Sequence, residues 1–405
     1  MKIFIYLFLA LLLILLVRLF IYDNFEKFKK AESVDFNHTL LDNPKETYYG
    51  QQVRIRDLFV NVPTSPKLFY ADTIRVKGVV EERIISGSRG ERKILVLEVS
   101  KIEKQKSVNF FLPLLGAIRT KVEKSFSKSL STNYSGLLIG IILGIKQVFT
   151  DDFSQGLSRT GLLHVVAASG MNVSIVGGFL LTVFLKFFKR QNALIITIIF
   201  IFLYALLAGF QASIVRAAIM ASIAYGALIF GRQNYALLSL FLTSLVMLLI
   251  SPFTLFDVGF QLSFAATLGI ITIKPFLDLL FDFKKLFFLE DFPTTISAQI
   301  TTFPIIMSTF GNYSPVSIVT NILLLWTIPI LMIFGGIGAI ASLISPVLAA
   351  PFLYLCFPFL LFFEKIILFF SKNSFMVNIE TFPAALTIGY YIILLALILK
   401  LKKHA

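Results

Sequence analysis

The sequence has few of the residues that proteins use for cross-links and metal binding. It contains one cysteine, Cys356, so no disulfide can form within the chain. Its three histidines, His38, His164 and His404, are far apart, and the cysteine is remote from them. No segment has the ligand spacing of a metal site, and we expect neither a metal nor another cofactor.

Charge is also scarce. Charged residues make up 15% of the 405 residues, hydrophobic residues make up 57%, and the mean hydropathy is +0.84. Such a chain cannot cover a soluble surface with polar groups, which excludes an ordinary soluble domain. The composition predicts a polytopic α-helical membrane protein.

Long apolar runs support this class. Each is near the ~20 residues that cross ~30 Å of hydrocarbon, which predicts about ten spans. The runs are 3–22, 162–185, 193–210, 211–231, 234–250, 258–280, 294–310, 315–343, 345–370 and 382–399. No small-residue cleavage site follows the first run, so we expect an uncleaved anchor.

Short basic loops predict the orientation of the spans. If residues 134–148 do not fully cross, the basic loops at Lys189, Arg232 and Lys285 and the basic C-terminal tail all lie on the side of Met1. That side should be the cytoplasm, with both termini cytoplasmic in the cytoplasmic (inner) membrane. Residues 23–133 then lie outside, and 134–148 form a re-entrant or interfacial element.

The outer segment has the features of a small β domain. "TIRVKGVVEERII" and "RKILVLEVSKI" are rich in Val and Ile, and "SGSRGER" between them supplies turn glycines. With "QQVRIRDLFVNV" as a third strand, they predict a barrel like the oligonucleotide-binding (OB) fold, preceded by a polar connector over 23–49 in which His38 is solvated. An excess of basic residues over 23–133 favours a polyanionic partner.

The segment "GAIRTKVEKSFSKSLS" predicts an amphipathic helix on the membrane surface. Its apolar positions are four residues apart, at Ile118, Val122, Phe126 and Leu130. The remaining face carries cations that could contact lipid phosphate or guide a polyanion: Arg119, Lys121, Lys124 and Lys128.

Polar residues inside the spans are costly and usually face a protein interior or a water-filled path. Arg216 is flanked by small residues that permit close helix packing, namely Ser213, Ala217, Ala221 and Ala224. Asp257 and Gln261 are four residues apart and should share a helix face. The alternative for Asp257 is a span-end residue that snorkels to the headgroups.

The stretch "GLLHVVAASGMNVSIV" places polar groups in an apolar run. His164 and Ser169 are five residues apart, about 140° around a helix, so a continuous helix cannot pair them as base and nucleophile. We therefore expect no enzyme activity. A helix interrupted at Ser169–Gly170 remains, and irregular backbone at membrane depth lines cavities or is buried in protein. This favours a pore.

Five motifs in order and in register resemble the ComEC family of competence proteins. They are "GLLHVVAASGMNVSIV", "VRAAIM", "GRQ", "DVGFQLSFAATLGI" and "TNILLLWTIPI", and the resemblance covers about residues 116–343. It implies a protein that carries single-stranded DNA across the cytoplasmic membrane during natural transformation. The residues it places on the DNA pathway are His164, Ser169, Gly170, Asn172, Arg216, Asp257, Gln261 and Ser263.

The sequence departs from the family pattern in two ways. Many members continue into a metallo-β-lactamase-like domain, but no His-x-His-x-Asp-His cluster is present here, so we expect no nuclease activity. The cysteine pair of some members is also missing. The expected partners are single-stranded DNA, membrane lipids and an uptake machinery with a separate nuclease, a DNA receptor and a cytoplasmic motor, with the pathway inside one subunit or between the subunits of a homodimer.

The resulting organisation has five segments. They are an anchor (1–22), an OB-like domain with its connector (23–107), the interfacial helix and re-entrant element (108–148), the competence-type core (149–343) and C-terminal helices with a short basic tail (344–405). Two other functions fit the same residues. One is a transporter or flippase of a small or lipid-linked anion, and the other is a membrane-embedded scaffold.

Overall fold

The computed structural model of the protein describes most of the chain. The described residues are 13–21, 28, 31–40, 44–47, 50–55, 58–63, 65, 67–87, 90–105, 111–145, 149–166, 169–280, 291–372, 376–378 and 383–404. The first part of the anchor, Lys284 and Lys285, and two residues of the "SGSRGER" turn lie outside them. The chain forms two compact units, Met1–Ile118 with Phe241–Asp257, and Arg119–Leu240 with Val258–Ala405.

The first unit contains a helix over residues 13–21 (α1) and a six-stranded mixed sheet. The strands are β1 Ser33–Thr39, β2 Lys45–Thr47, β3 Gly50–Ile55, β4 Leu58–Val62, β5 Thr73–Gly87 and β6 Gly90–Gln105. Their order is β1-β5-β6-β4-β3-β2, antiparallel throughout except for the parallel β4–β6 pair. Buried Val, Ile and Leu side chains from β1, β3, β4, β5 and β6 form its core.

The predicted hairpin of "TIRVKGVVEERII" and "RKILVLEVSKI" is confirmed. Strands β5 and β6 pair from Thr73↔Gln105 to Gly87↔Gly90, with a register shift at Lys77/Gly78. A β-carbon on Gly78 would overlap the Glu98 carbonyl oxygen at 2.1 Å. The shift in register therefore requires glycine at this position.

Two strand predictions were wrong. The segment "QQVRIRDLFVNV" is two strands, β3 and β4, which pair antiparallel with Ile55 opposite Leu58. The predicted connector contains β1 and β2, and His38 lies half-buried in β1 opposite Ile74. Polar residues alternate with apolar ones in β1 because only one face of this strand is buried, and the polar face concealed the strand in the sequence.

Ion pairs join cations to carboxylates on the sheet surface. They are Arg75–Asp35, Arg83–Glu98, Lys101–Glu103 and Lys104–Asp72. The hydrogen bond from Arg75 holds the pKa of Asp35 below its usual value, so this carboxylate stays ionised to lower pH than an unpaired aspartate. These pairs place four cations next to carboxylates and leave the net positive charge of the outer segment unchanged.

The second unit is helical. Its helices are α3 Thr132–Leu143, α4 Asp151–Arg159, α5 Leu163–Val166, α6 Gly170–Phe184, α7 Arg190–Leu207, α8 Ala212–Ile229, α10 Val258–Thr272, α11 Lys274–Leu280, α12 Phe292–Phe310, α13 Ser317–Leu324, α14 Thr327–Ser342, α15 Pro346–Lys372 and α16 Ala384–His404. Two more helices, α2 Phe111–Ser129 and α9 Ala236–Ile250, each begin in one unit and end in the other. A short pair of strands, β7 Asn312–Tyr313 and β8 Val377–Asn378, joins two of its loops.

Three helices are long and apolar enough to cross a membrane, namely α7, α8 and α15. Two bent pairs, α10 with α11 (40°) and α13 with α14 (50°), raise the count to five if each pair is one span. The ten predicted runs each overlap a helix, but several of these helices are shorter than a full span. The protein is mostly helical, with three to five candidate spans among the described residues.

Helix α3 lies in the core of the second unit. It has 12 residues, and ten of them, from Tyr134 to Leu143, are buried. At about 1.5 Å per residue it is shorter than the ~30 Å hydrocarbon layer. Gly335 of α14 allows close approach, since a β-carbon there would lie 2.4 Å from the Ile142 side chain. Residues 134–143 therefore form a short helix enclosed by protein.

Helix α12 contains a proline whose effect is compensated by another helix. Pro304 has no N–H, so it cannot donate to the carbonyl of Ile300 four residues earlier. The Tyr390 hydroxyl of α16 donates to this carbonyl at 2.9 Å, and Tyr391 donates to the Thr301 carbonyl at 2.8 Å. Tyr390 thus replaces the donor that Pro304 lacks, and Tyr391 adds a second bond from α16 to the same turn.

We expect Tyr390→Phe to lower the free energy of unfolding by about 1 kcal/mol, because it leaves the Ile300 carbonyl without its side-chain donor. Thermal unfolding of the purified chain in detergent measures the change. Tyr354→Phe in α15 is the matched control, since Tyr354 is 61% exposed. Equal stability of the two variants would contradict the role given to Tyr390.

Candidate functional site

The predicted interruption at Ser169–Gly170 is present. Helix α5 ends at Val166 and α6 begins at Gly170, with Ser169 extended between them (φ −112°, ψ 170°). Serine favours this position before a helix. Its hydroxyl, however, makes no capping bond to the backbone and donates to Oδ1 of Asn172 at 3.1 Å. The positive end of the α6 dipole therefore carries no capping side chain from Ser169.

Gly170 brings α6 close to α8. A β-carbon on Gly170 would lie 3.0 Å from Nη2 of Arg216 and 3.5 Å from the β-carbon of Ala217. Ala217, one of the small residues predicted to permit close helix packing, thus lies where the two helices approach. The first residue of α6 and the guanidinium of Arg216 are direct neighbours.

Arg216 is buried with neutral partners. It is 6% exposed, its Nε donates to the Ser263 hydroxyl of α10 at 2.7 Å, and Nη1 lies 3.2 Å from the sulfur of Met220. The ion pairs of the described residues do not include Arg216. A buried guanidinium beside a helix N-terminus creates positive potential, which suits an anion.

His164 and Ser169 make separate contacts. His164 is exposed, and its Nδ1 lies 2.9 Å from the carbonyl oxygen of Gly161 in its own turn. Ser169 contacts Asn172 instead. The two residues thus have different hydrogen-bond partners, and neither partner is the other residue.

Asn172 is bonded to α3. It is 2% exposed, and its Nδ2 donates to the Ile141 carbonyl near the end of α3 at 2.7 Å. Among the predicted site residues, the structure therefore joins Gly170, Arg216 and Ser263 directly, and connects Ser169 and Asn172 to α3.

Comparison with known proteins covers the region that holds this site. Residues 141–404 match the family described as competence protein, which is more than half of the chain. The chain belongs to the ComEC family of competence proteins. It is 29% identical over 233 residues to ComE operon protein 3 of Bacillus subtilis (strain 168), an alignment that covers 56% of this chain and 29% of that protein. No solved structure matches the chain.

The start of α10 differs from our expectation. This helix lies within the residues that match the family. Gln261 and Ser263 lie half-buried in α10. Asp257 was predicted to share a helix face with Gln261, but it lies before α10, in extended conformation at the end of a 3₁₀ helix over Pro252–Phe256. It also belongs to the first unit, whereas Gln261 belongs to the second. The prediction of a shared helix face was wrong, because α10 begins at Val258 and Asp257 is the residue before it.

The predicted cationic face of α2 needs a correction. Arg119 is 2% exposed, although it was predicted to contact DNA or lipid at the surface. Val122 and Phe126 pack in the protein core of the second unit, so their face of α2 is covered by protein. Lys121, Lys124 and Lys128 are exposed, and Lys121 donates to the Leu343 carbonyl at the end of α14 at 2.6 Å.

Two polar residues near the site were missed. Tyr204 of α7 donates to the Ile142 carbonyl at 3.0 Å, and Gln211 donates to the Gly144 carbonyl at 2.6 Å. The sequence does contain a signal that could have identified them, since both lie in "LYALLAGFQAS", where two apolar runs meet. Within the described residues, no group of three or more His, Cys, Asp or Glu side chains is placed to hold a metal.

Proposed function

We propose that this ComEC-family protein moves single-stranded DNA across the cytoplasmic membrane during natural transformation, and that Gly170 and Arg216 form a contact for its phosphates. The observation that carries the proposal is Arg216, a 6% exposed cation with neutral partners beside the first residue of α6. Membership in the competence protein family indicates a role in DNA uptake, and the positive charge at the site is a physical reason to expect an anionic cargo.

A phosphodiester chain fits this site because it presents one negative charge per nucleotide. Arginine pairs well with phosphate, and the amide groups at a helix N-terminus add donors. Conduction requires contacts weak enough to release each phosphate in turn. Neutral partners leave the Arg216 charge available to the cargo, and Ser263 keeps the guanidinium in place.

The proposal includes a membrane arrangement. About ten spans cross the membrane, both termini are cytoplasmic, and the β sheet forms an OB-like domain outside. Four cations on the sheet surface are already paired with carboxylates, so the contacts of this domain with DNA should be weak and salt-sensitive.

The protein works with other components in this proposal. The chain spans 29% of the length of the Bacillus subtilis relative that it matches. We assign transport to this chain and no catalytic step. A separate nuclease, a DNA receptor and a cytoplasmic motor act with it, and a homodimer is the alternative to a pathway within one subunit.

Deletion of the gene tests the proposal. With labelled duplex DNA, the deletion strain should bind DNA at its surface but show no label in the cytoplasm, and the wild-type gene should restore entry. Unchanged entry in the deletion strain would overturn the proposal. Normal entry combined with loss of a small or lipid-linked anion from its usual compartment would favour the transporter or flippase.

Reporter fusions test the membrane arrangement. A fusion after Lys189 or Arg232 should read cytoplasmic and one near Gly87 should read external, because short basic loops resist translocation. Alkaline phosphatase and a cytoplasm-active fluorescent protein at each position give opposite signals. A cytoplasmic reading at Gly87 would remove the external DNA-contact domain from the proposal.

A further inference from the structure

The end of α3 is a buried backbone terminus with polar side chains around it. The last carbonyls of a helix have no partner within the helix. Here the Gly140 carbonyl accepts from the Gly144 N–H at 2.9 Å, with Gly144 in the left-handed region at φ 66°. The carbonyls of Ile141, Ile142 and Gly144 instead accept from side chains.

The three donors come from three segments of the bundle. Asn172 is in the first turn of α6, Tyr204 is in α7, and Gln211 immediately precedes α8. Their bonds to α3 measure 2.7, 3.0 and 2.6 Å. All three join residues at least 31 positions apart in the chain, so they fix tertiary structure.

These donors lie beside the two halves of the proposed phosphate contact. Asn172 is two residues after Gly170, and Gln211 is five residues before Arg216. Helix α3 is therefore bonded to α6 near Gly170 and to the start of α8 near Arg216. Tyr204 bonds the intervening helix α7 to the same helix end.

We propose that Tyr204 and Gln211 are positioning residues, which act through the end of α3 to set the distance between Gly170 and Arg216. This inference rests on the proposed function. Loss of either donor leaves a buried carbonyl without its side-chain partner and lets α7 or α8 shift against α3. A small shift matters at this site, because Arg216 already lies at contact distance from Gly170.

Double-mutant cycles distinguish positioning from a general effect on stability. We expect Tyr204→Phe and Gln211→Met each to lower the entry of labelled DNA roughly fivefold or more, the effect of one lost hydrogen bond, with normal amounts of protein in the membrane. In an Arg216→Ala background, neither change should lower entry further, since the residue that they position is gone. Tyr235→Phe and Gln155→Met, at exposed positions, are the matched controls and should leave entry unchanged.

Each contrary outcome has a distinct meaning. Independent, multiplicative losses in the Arg216→Ala background would overturn the positioning role but leave the phosphate contact intact. Wild-type entry in Arg216→Ala alone would refute the phosphate contact itself. Disappearance of both Tyr204→Phe and Gln211→Met from the membrane would also overturn the inference, because the bonds would then serve folding.

Discussion

Replacing Gly170 by leucine is expected to abolish DNA uptake while the protein still accumulates in the membrane. A β-carbon at this position would lie 3.0 Å from Nη2 of Arg216, closer than ordinary van der Waals contact. The branched end of leucine would extend further and displace the guanidinium from the start of α6. Labelled DNA should still bind at the cell surface, and the label should be absent from the cytoplasm.

Gly178→Leu is the matched control for this change. Gly178 lies in the same helix, and a β-carbon there has no neighbour within 4 Å, so uptake should remain normal. Ser169→Ala should reduce uptake only mildly, since it removes one hydrogen bond to Asn172. Full uptake in Gly170→Leu would contradict the site, as would complete loss in Ser169→Ala together with a covalent adduct to a serine-directed probe.

Local chemistry explains which parts of the site could be predicted from the sequence. Serine before a helix and glycine at its first turn are strong local signals, and the structure interrupts the helix at Ser169–Gly170. The β5–β6 hairpin was predictable for a similar reason, since Val and Ile alternate around a glycine-containing turn. Both features depend on neighbours in the chain.

Arg119 shows where local reasoning fails. A strict spacing of four residues placed it on the polar face, but an α-helix has about 3.6 residues per turn, so the buried face drifts along α2 to include Leu115, Arg119 and Val122. The pKa of Glu123, one turn away, is raised because the carboxyl is buried, and the charge of Arg119 offsets only part of this rise. A buried charge of this kind depends on tertiary neighbours that the helix pattern does not reveal.

The contacts around α3 were equally inaccessible. Gln211 and the Gly144 carbonyl are 67 residues apart, and Asn172 and the Ile141 carbonyl are 31 apart. Taken alone, Asn172 is a polar residue inside an apolar run, and Gln211 is a polar residue at the start of one. The family resemblance places Asn172 on the pathway, and the structure adds a bond from its amide to the end of α3 that no local pattern reveals.

Arg216→Ala is expected to lower DNA entry roughly ten- to hundredfold, the effect of removing one charged hydrogen-bonding group from a buried contact. The loss should appear in transport and leave surface binding unchanged, because Arg216 is 6% exposed. Arg216→Lys should restore part of the entry, since the ammonium keeps the charge. It cannot donate to Ser263 and also present a second planar nitrogen toward Gly170.

Arg159→Ala is the matched control, because Arg159 is exposed in the last turn of α4 and should not affect entry. Ser263→Ala should give an intermediate loss, since it removes the hydroxyl that accepts from Nε but keeps the guanidinium. If Arg216→Lys is as defective as Arg216→Ala, the planar fork of arginine carries the contact and charge alone does not suffice. If Arg216→Ala transports DNA normally with the protein at wild-type levels, the buried cation serves packing and the phosphates take another route.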